Sequence, residues 1–126
     1  MSVQSQIEHL LQRYVQAFNA HDMKILDLFQ SRAEVYTPYS PPAVGHKELQ
    51  ALHTKWFTHK IAYKDAAVQH LTSRDGVAYC FASYALTRSD GDEGERKETG
   101  TSANVMIEGP AGNWTFLSTS IFPDES

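Results

Sequence analysis

Between Ile7 and Asp22 apolar side chains recur at Ile7, Leu10, Leu11, Tyr14, Val15 and Phe18, the i, i+3, i+4, i+7 spacing of one helix face. Asn19-Ala20-His21-Asp22 closes that helix, and Asp22 is placed to cap a second, short helix running through Phe29. A face that apolar over about four turns has to be covered by other elements. Tyr14 lies in the middle of it, and a buried hydroxyl needs a hydrogen-bond partner from the core or from a ligand. The segment AEVYT from Ala33 to Thr37 reads as a strand stopped by Pro38. The run Pro38-Tyr39-Ser40-Pro41-Pro42 reads as a loop, because its prolines remove the donors of ladder and helix alike. Gly45 or His46 then opens a third helix through about Phe57, with Leu49, Leu52, Trp56 and Phe57 on one face.

From Ile61 onward the period changes towards two. Strands are predicted over Ala66 to Ser73, Val77 to Arg88, Thr99 to Glu108 and Asn113 to Phe122. The joints carry turn chemistry: Arg74-Asp75-Gly76, then Ser89 to Glu98, then Gly109-Pro110-Ala111-Gly112. The result is an antiparallel meander. The joint from Ser89 to Glu98 is polar and charged throughout and reads as a solvated hairpin tip. Helices first and strands afterwards predict an α+β domain with its helices packed on one face of the sheet.

Composition narrows the class without identifying a reaction. The 126 residues form most simply one domain, residues 1–126, large enough to bury a core without staples. A net charge of −4 with no basic run argues against nucleic acid or an anionic membrane as partner. No stretch approaches the roughly 18 apolar residues of a spanning helix, and MSVQSQIEHL lacks the positive and apolar regions of a signal peptide. The one cysteine, Cys80, rules out an internal disulfide framework. A cytoplasmic protein is the expectation.

Four runs carry a family resemblance: Tyr14-Val15-Gln16-Ala17-Phe18-Asn19-Ala20-His21-Asp22, the step from Leu28-Phe29 to Val35-Tyr36-Thr37-Pro38, Gly45-His46-Lys47-Glu48-Leu49, and Gly112-Asn113-Trp114. With the order of elements, they resemble the SnoaL-like family of the nuclear transport factor two-like superfamily, over nearly the whole chain. The fold this implies is three N-terminal helices packed in a curved, mostly antiparallel sheet that forms a cone, as in ketosteroid isomerase-like and cystatin-like proteins. That fold hosts isomerases, cyclases, dehydratases and plain binding modules, so it implies no single activity. The first half most resembles the ketosteroid isomerases, which use a helix-one tyrosine and a sheet carboxylic acid as oxyanion donors and an aspartate as base. By that resemblance Tyr14 matches the tyrosine, and Asn104 matches the sheet acid, keeping a donor without the acid. Thr37 stands where the aspartate belongs. A threonine cannot take a proton from carbon near neutral pH, so steroid isomerisation by that route is not expected.

The same resemblance implies a register. Cys80, Ala82, Tyr84 and Leu86 face the pocket, with Ser102, Asn104 and Met106, and then Leu117, Thr119 and Ile121. Tyr79, Phe81, Trp114 and Phe116 point to the other face. An apolar outer face of this kind marks a partner surface, and a homodimer through it is implied.

Two donors on one ligand oxygen, Tyr14 and Asn104, can contribute about 2.7–4 kcal/mol each to stabilising developing charge in a dry pocket. The alternative is that Tyr14 bonds a sheet carbonyl or Asn104 itself. The six histidines show neither i, i+4 pairing nor HExxH spacing, so no metal is expected. His9 and His21 read as surface and helix-end residues and His46 as a helix-start residue. His53, beside Leu49, Leu52 and Trp56, is the one placed to see a pocket, and His70 is a candidate base if its strand register turns it inward. Cys80 has no cationic neighbour in sequence that favours a thiolate, and Asp65 reads as exposed. Tyr36, Tyr39, Trp56 and Phe57 form either an aromatic collar at the entrance or ordinary core, and Phe18 and Thr37 are expected to line the pocket. No phosphate cradle, nucleophile elbow or dinucleotide fingerprint occurs, and no cofactor is expected. The function expected is binding of a small hydrophobic or aromatic molecule. Cofactor-free isomerase, cyclase or dehydratase chemistry is its extension, with Tyr14 and Asn104 polarising an oxygen and His53, His70 or water moving the proton. The rival is a non-catalytic dimeric assembly or ligand-sequestering module.

Overall fold

The computed structural model describes residues 2–89 and 94–124. Helix α1 spans Val3–Asn19, opened by Ser2, whose hydroxyl accepts from the Ser5 amide at 3.1 Å. Its end is a Schellman arrangement: His21, at φ 53°, donates to the Phe18 carbonyl and Asp22 donates to Ala17. The Asp22 carboxylate then caps the 3₁₀ helix Met23–Leu28 through the Lys24 amide at 2.9 Å. Strand β1 (Phe29–Thr37), strand β2 (Ser40–Val44) and helix α2 (Gly45–Thr58) follow. Strands β3 (Ile61–Arg74), β4 (Val77–Arg88), β5 (Arg96–Glu108) and β6 (Trp114–Pro123) complete the chain. The architecture is α+β, three N-terminal helices against one curved, unclosed six-stranded sheet of order β2-β1-β6-β5-β4-β3. Every pairing is antiparallel except β1 with β6.

Two local expectations are corrected. The proline run is not all loop. Pro38-Tyr39 makes the turn, and Ser40–Val44 pairs with β1 as an edge strand, where Pro41 and Pro42 interrupt no ladder on the open side. The inward set on β6 is also different. Val105 pairs with Ser118 but Met106 pairs with Phe116, so a bulge leaves Leu117 unpaired and reverses the alternation below it. Trp114 and Phe116 are therefore buried with the core instead of facing outward, and Leu117 lies off the cavity wall.

Apolar residues of α1, the 3₁₀ helix, α2 and the inner sheet face form one cluster in which Ile7, Phe18, Ile25, Leu49 and Met106 are wholly buried. Trp114 ties the sheet to α1 by donating to Gln6 Oε1 at 2.7 Å. The polar tip expected around Ser89 to Glu98 falls in part on residues 90–93, outside the described residues, and its last residue, Glu98, is not solvated but drawn into the cone.

Candidate functional site

Helix α1 carries Tyr14 and α2 carries His53, and the two side chains meet at the centre of the cone. His53 is wholly buried, with Nδ1 2.8 Å from the Leu49 carbonyl one turn back. A ring nitrogen against a carbonyl must carry the hydrogen, so Nε2 is the acceptor of the neutral ring. The Tyr14 hydroxyl stands 3.1 Å from that Nε2. Burial lowers the His53 pKa to about 4, only partly opposed by the Leu49 bond. Burial also holds the Tyr14 phenol well above its ordinary value, and neighbouring Tyr63 raises it further. Both partners are therefore neutral.

The aromatic surround explains why they stay in place. The Tyr14 ring meets Phe29, Tyr63 and Phe116 edge-on, with centroids 5.9–6.0 Å apart. Phe18, one turn along α1, packs against Tyr63 at 4.9 Å and Phe57 at 5.2 Å. Asn19 fixes Tyr63 from both sides: its amide donates to the Tyr63 carbonyl at 2.9 Å and accepts from the Tyr63 amide at 2.8 Å.

A cavity of about 50 Å³ opens beside Tyr14, room for a few water molecules. Of the residues expected to line a pocket, Tyr14, Trp56, Ala82, Tyr84, Ser102, Asn104, Thr119 and Ile121 are on its wall. Leu11, Val15, Phe29, Val35, Tyr63, Ala66 and Ser83 are there as well, none of them expected as pocket residues, and so is Phe116, expected on the outer face. The wall is mostly apolar and none of its residues is charged. A smaller space of about 20 Å³ lies towards the mouth, bounded by Phe18, Thr37, Tyr39, Arg88 and Glu98, and shares Trp56, Tyr63, Tyr84 and Ile121 with the first. Phe57, Cys80, Met106 and Leu117 line neither space. Phe57 stacks on His21 at 5.0 Å, Met106 is solid core, and burial pushes the Cys80 thiol up to about 11, away from a nucleophile.

Asn104 is not a free donor. Its Nδ2 donates to Ser102 Oγ at 3.0 Å and the Cys80 carbonyl at 3.4 Å, and its Oδ1 accepts from Thr119 at 3.0 Å. It and Tyr14 line one cavity but do not converge their hydrogens on a shared point. His70 is corrected outright: it pairs with outward-facing Phe81 across a bulge in β3, is exposed, and borders a groove on the outer sheet face. His46 bonds the Phe29 carbonyl at 3.0 Å, and Asp65 is exposed.

The mouth holds a cluster the sequence reading missed. Glu98 accepts from Tyr39 at 2.8 Å, Tyr84 at 3.0 Å and Arg88 at 3.1 Å, and the Arg88 guanidinium lies 5.0 Å over the Tyr39 ring. Gly100 makes room for it, since a Cβ there would sit 2.5 Å from the Tyr84 hydroxyl. Counting inward positions back in twos from Ser102 through Gly100 reaches Glu98, a signal that was present in the sequence. Among the described residues no group of His, Cys, Asp and Glu is arranged to hold a metal ion, and no helix is long and apolar enough to cross a membrane.

No protein-family model and no curated protein matches this sequence. Solved structures do. A ketosteroid isomerase-like protein from Erwinia carotovora atroseptica superposes with a TM-score of 0.84 at 16% identity, covering 98% of this chain and 97% of that one. An NTF2-like protein with a cystatin-like fold from Novosphingobium aromaticivorans gives 0.73 at 15% identity, covering 93% and 79%. A protein from Catenulispora acidiphila, solved in complex with S-DNPA, gives 0.73 at 13% identity over 93% and 91%. The fold of this chain is therefore that of the nuclear transport factor 2-like proteins, ketosteroid isomerase-like members among them, and the SnoaL-like resemblance read from its sequence is consistent with it.

Proposed function

We propose that the cone binds a small, largely apolar molecule whose one polar group is met at the Tyr14 oxygen. The observation that carries this reading is an uncharged, mostly apolar cavity with a buried phenol fixed in its wall by His53. Sites of this kind typically combine apolar walls with a few placed polar groups. A ring-sized guest needs the inner and mouth spaces joined, which requires displacing side chains of their shared wall, Trp56, Tyr63, Tyr84 and Ile121. That a structurally similar protein was solved with S-DNPA is in keeping with the reading.

Turnover is not part of the proposal. Proton transfer at carbon needs a base facing the ligand, and Thr37 supplies none, His70 lies outside, and His53 Nε2 is occupied by Tyr14. Stabilising an oxyanion needs free donors, and both the Tyr14 and Asn104 hydrogens are engaged. The test is a thermal-shift screen of small aromatic and alicyclic compounds on the wild type and Tyr14→Phe. A ligand at about 100 Kd adds about 2.7 kcal/mol of stability. Hits that weaken in Tyr14→Phe support the site, and a wide panel without a hit removes it.

A second reading concerns assembly. Tyr79 and Phe81 on the outer face of β4 are 57% and 51% exposed, beside the groove that His70 borders. A homodimer through this face covers them. Sedimentation of the wild type and Phe81→Glu checks it: a dimer that the charge converts to monomer supports the interface, and a monomeric wild type ends it.

A further inference from the structure

The hydrogens of Tyr14, Tyr84, Asn104 and Thr119, all on the cavity wall, are taken by protein acceptors. His53 Nδ1 faces the Leu49 carbonyl, so Nε2 accepts, and Tyr14 gives its single hydrogen to His53 and not to the space it lines. On the facing wall Tyr84 donates to the Glu98 carboxylate and Thr119 donates to Asn104 Oδ1. The Asn104 amide is taken by the Cys80 carbonyl and Ser102 Oγ. The Tyr14, Tyr84 and Thr119 oxygens thus offer lone pairs, while Ser83, Ser102, Tyr63 and the Trp56 indole, also on the wall, carry hydrogens with no assigned acceptor.

We propose that the cone selects a neutral hydrogen-bond donor, a small phenol or alcohol, over the matching ether or ketone, and that His53 sets this preference by holding the Tyr14 hydrogen. The proposal rests on the reading that the cone binds a small molecule, and specifies its class. A phenol or alcohol hydrogen finds a free lone pair on Tyr14 without disturbing anything. At Tyr14 a ketone finds a lone pair opposite its own. To bind it, Tyr14 must turn its hydrogen away from His53 and strand Nε2 at a site wholly shut from water. An ammonium donor placed at Tyr14 is disfavoured for a different reason: the inner lining carries no charge to compensate its burial. His53 is therefore a positioning residue, acting on the ligand through Tyr14.

Two matched pairs test this, phenol against anisole and cyclohexanol against cyclohexanone, titrated by NMR while following amides on the cavity wall. In the wild type each donor binds at least tenfold tighter than its partner. Tyr14→Phe brings each pair within about threefold, and His53→Leu, which frees the Tyr14 hydrogen, moves the second pair towards the ketone. Should His53→Leu fail to fold, the ¹⁵N signals of the wild-type imidazole decide the same point: hydrogen on Nδ1 with a bare Nε2 supports the proposal, and hydrogen on Nε2 overturns it. Ketone binding as tight as alcohol in the wild type overturns the donor preference while leaving the binding site standing. No perturbation of the cavity wall by any of the four compounds overturns both.

Discussion

Two tyrosines in the same cone show how depth selects a partner. Tyr14, deep between α1 and the sheet, hydrogen-bonds a neutral imidazole. Tyr84, nearer the mouth, hydrogen-bonds a carboxylate that also serves Tyr39 and Arg88. Removing a charge from water costs several kcal/mol unless it is paired, and around Tyr14 nothing is present to pair one. Burial is the leading cause of the raised pKa at both phenols, but only at Tyr84 does a carboxylate, Glu98, add to it. The interior is thus neutral and closed, whereas the mouth is charged and partly wet, with Glu98 and Arg88 side chains 16% and 24% exposed. Interior changes should cost stability, and changes at the mouth should cost little and depend on salt.

The largest break in that contrast comes from Phe18→Ala. Phe18 is 1% exposed and joins Tyr14 to Trp56, Phe57 and Tyr63. Its loss should destabilise by about 3–5 kcal/mol in chemical denaturation. A loss under about 1 kcal/mol would mean that the centre of the cone is loosely packed and already adapted to a guest.

Next in size is a pH effect. The folded pKa of His53, about 4, lies below its ordinary 6.5, so the unfolded chain binds the extra proton between the two values. The stability it contributes is whole above about pH 6.5 and is lost as pH falls towards 4, reaching about 3 kcal/mol there. Denaturation midpoints at several pH values, wild type against His53→Leu, isolate this part. Equal slopes in the two proteins would show that His53 is not buried neutral.

How much of this could be read in advance differs along the chain. Strand β4 was placed at its observed bounds because Asp75-Gly76, both at positive φ, punctuates the hairpin that precedes it. The apolar stripe of α1 follows from period alone, whereas on β4 the period gives the alternation and the family resemblance implies which set faces inward. The bulge at Leu117 is harder to read: in WTFLSTS the adjacent Phe116 and Leu117 break the alternation, but only the pairing to β5 reveals that Leu117 is the residue skipped. Glu98 was hidden by its company, a run so polar that a residue drawn inward looks like its solvated neighbours. Tyr14 and His53 were each singled out, but their bond depends on how α1 and α2 sit together, which neither helix encodes by itself.

The contrast sharpens when the two phenols lose the same atom. Tyr14→Phe leaves His53 Nε2 without a partner in a dry site and should cost about 1–3 kcal/mol. Tyr84→Phe leaves Glu98 with Tyr39, Arg88 and some solvent, and should cost about 1 kcal/mol. Matched urea titrations compare them, and the order of the two is the point at issue. If Tyr84→Phe costs more, the mouth is the better-ordered region and the account of depth above is inverted.

The smallest effect belongs to Tyr39→Phe. Tyr39 is 52% exposed at the β1–β2 turn, and its hydroxyl reaches Glu98 across the mouth while its ring lies under Arg88. The variant keeps the ring and loses the hydroxyl, so the cost should stay within about 0.5–1 kcal/mol, because water replaces the lost donor. Truncation to Ala removes the ring as well and opens the mouth space that Tyr39 borders. If the cone fills through this side, ligand association should quicken in Tyr39→Ala and stay unchanged in Tyr39→Phe, as stopped-flow binding at fixed ionic strength can resolve. Equal rates in all three proteins would put the entrance elsewhere on the cone and leave the Glu98 cluster a stability feature alone.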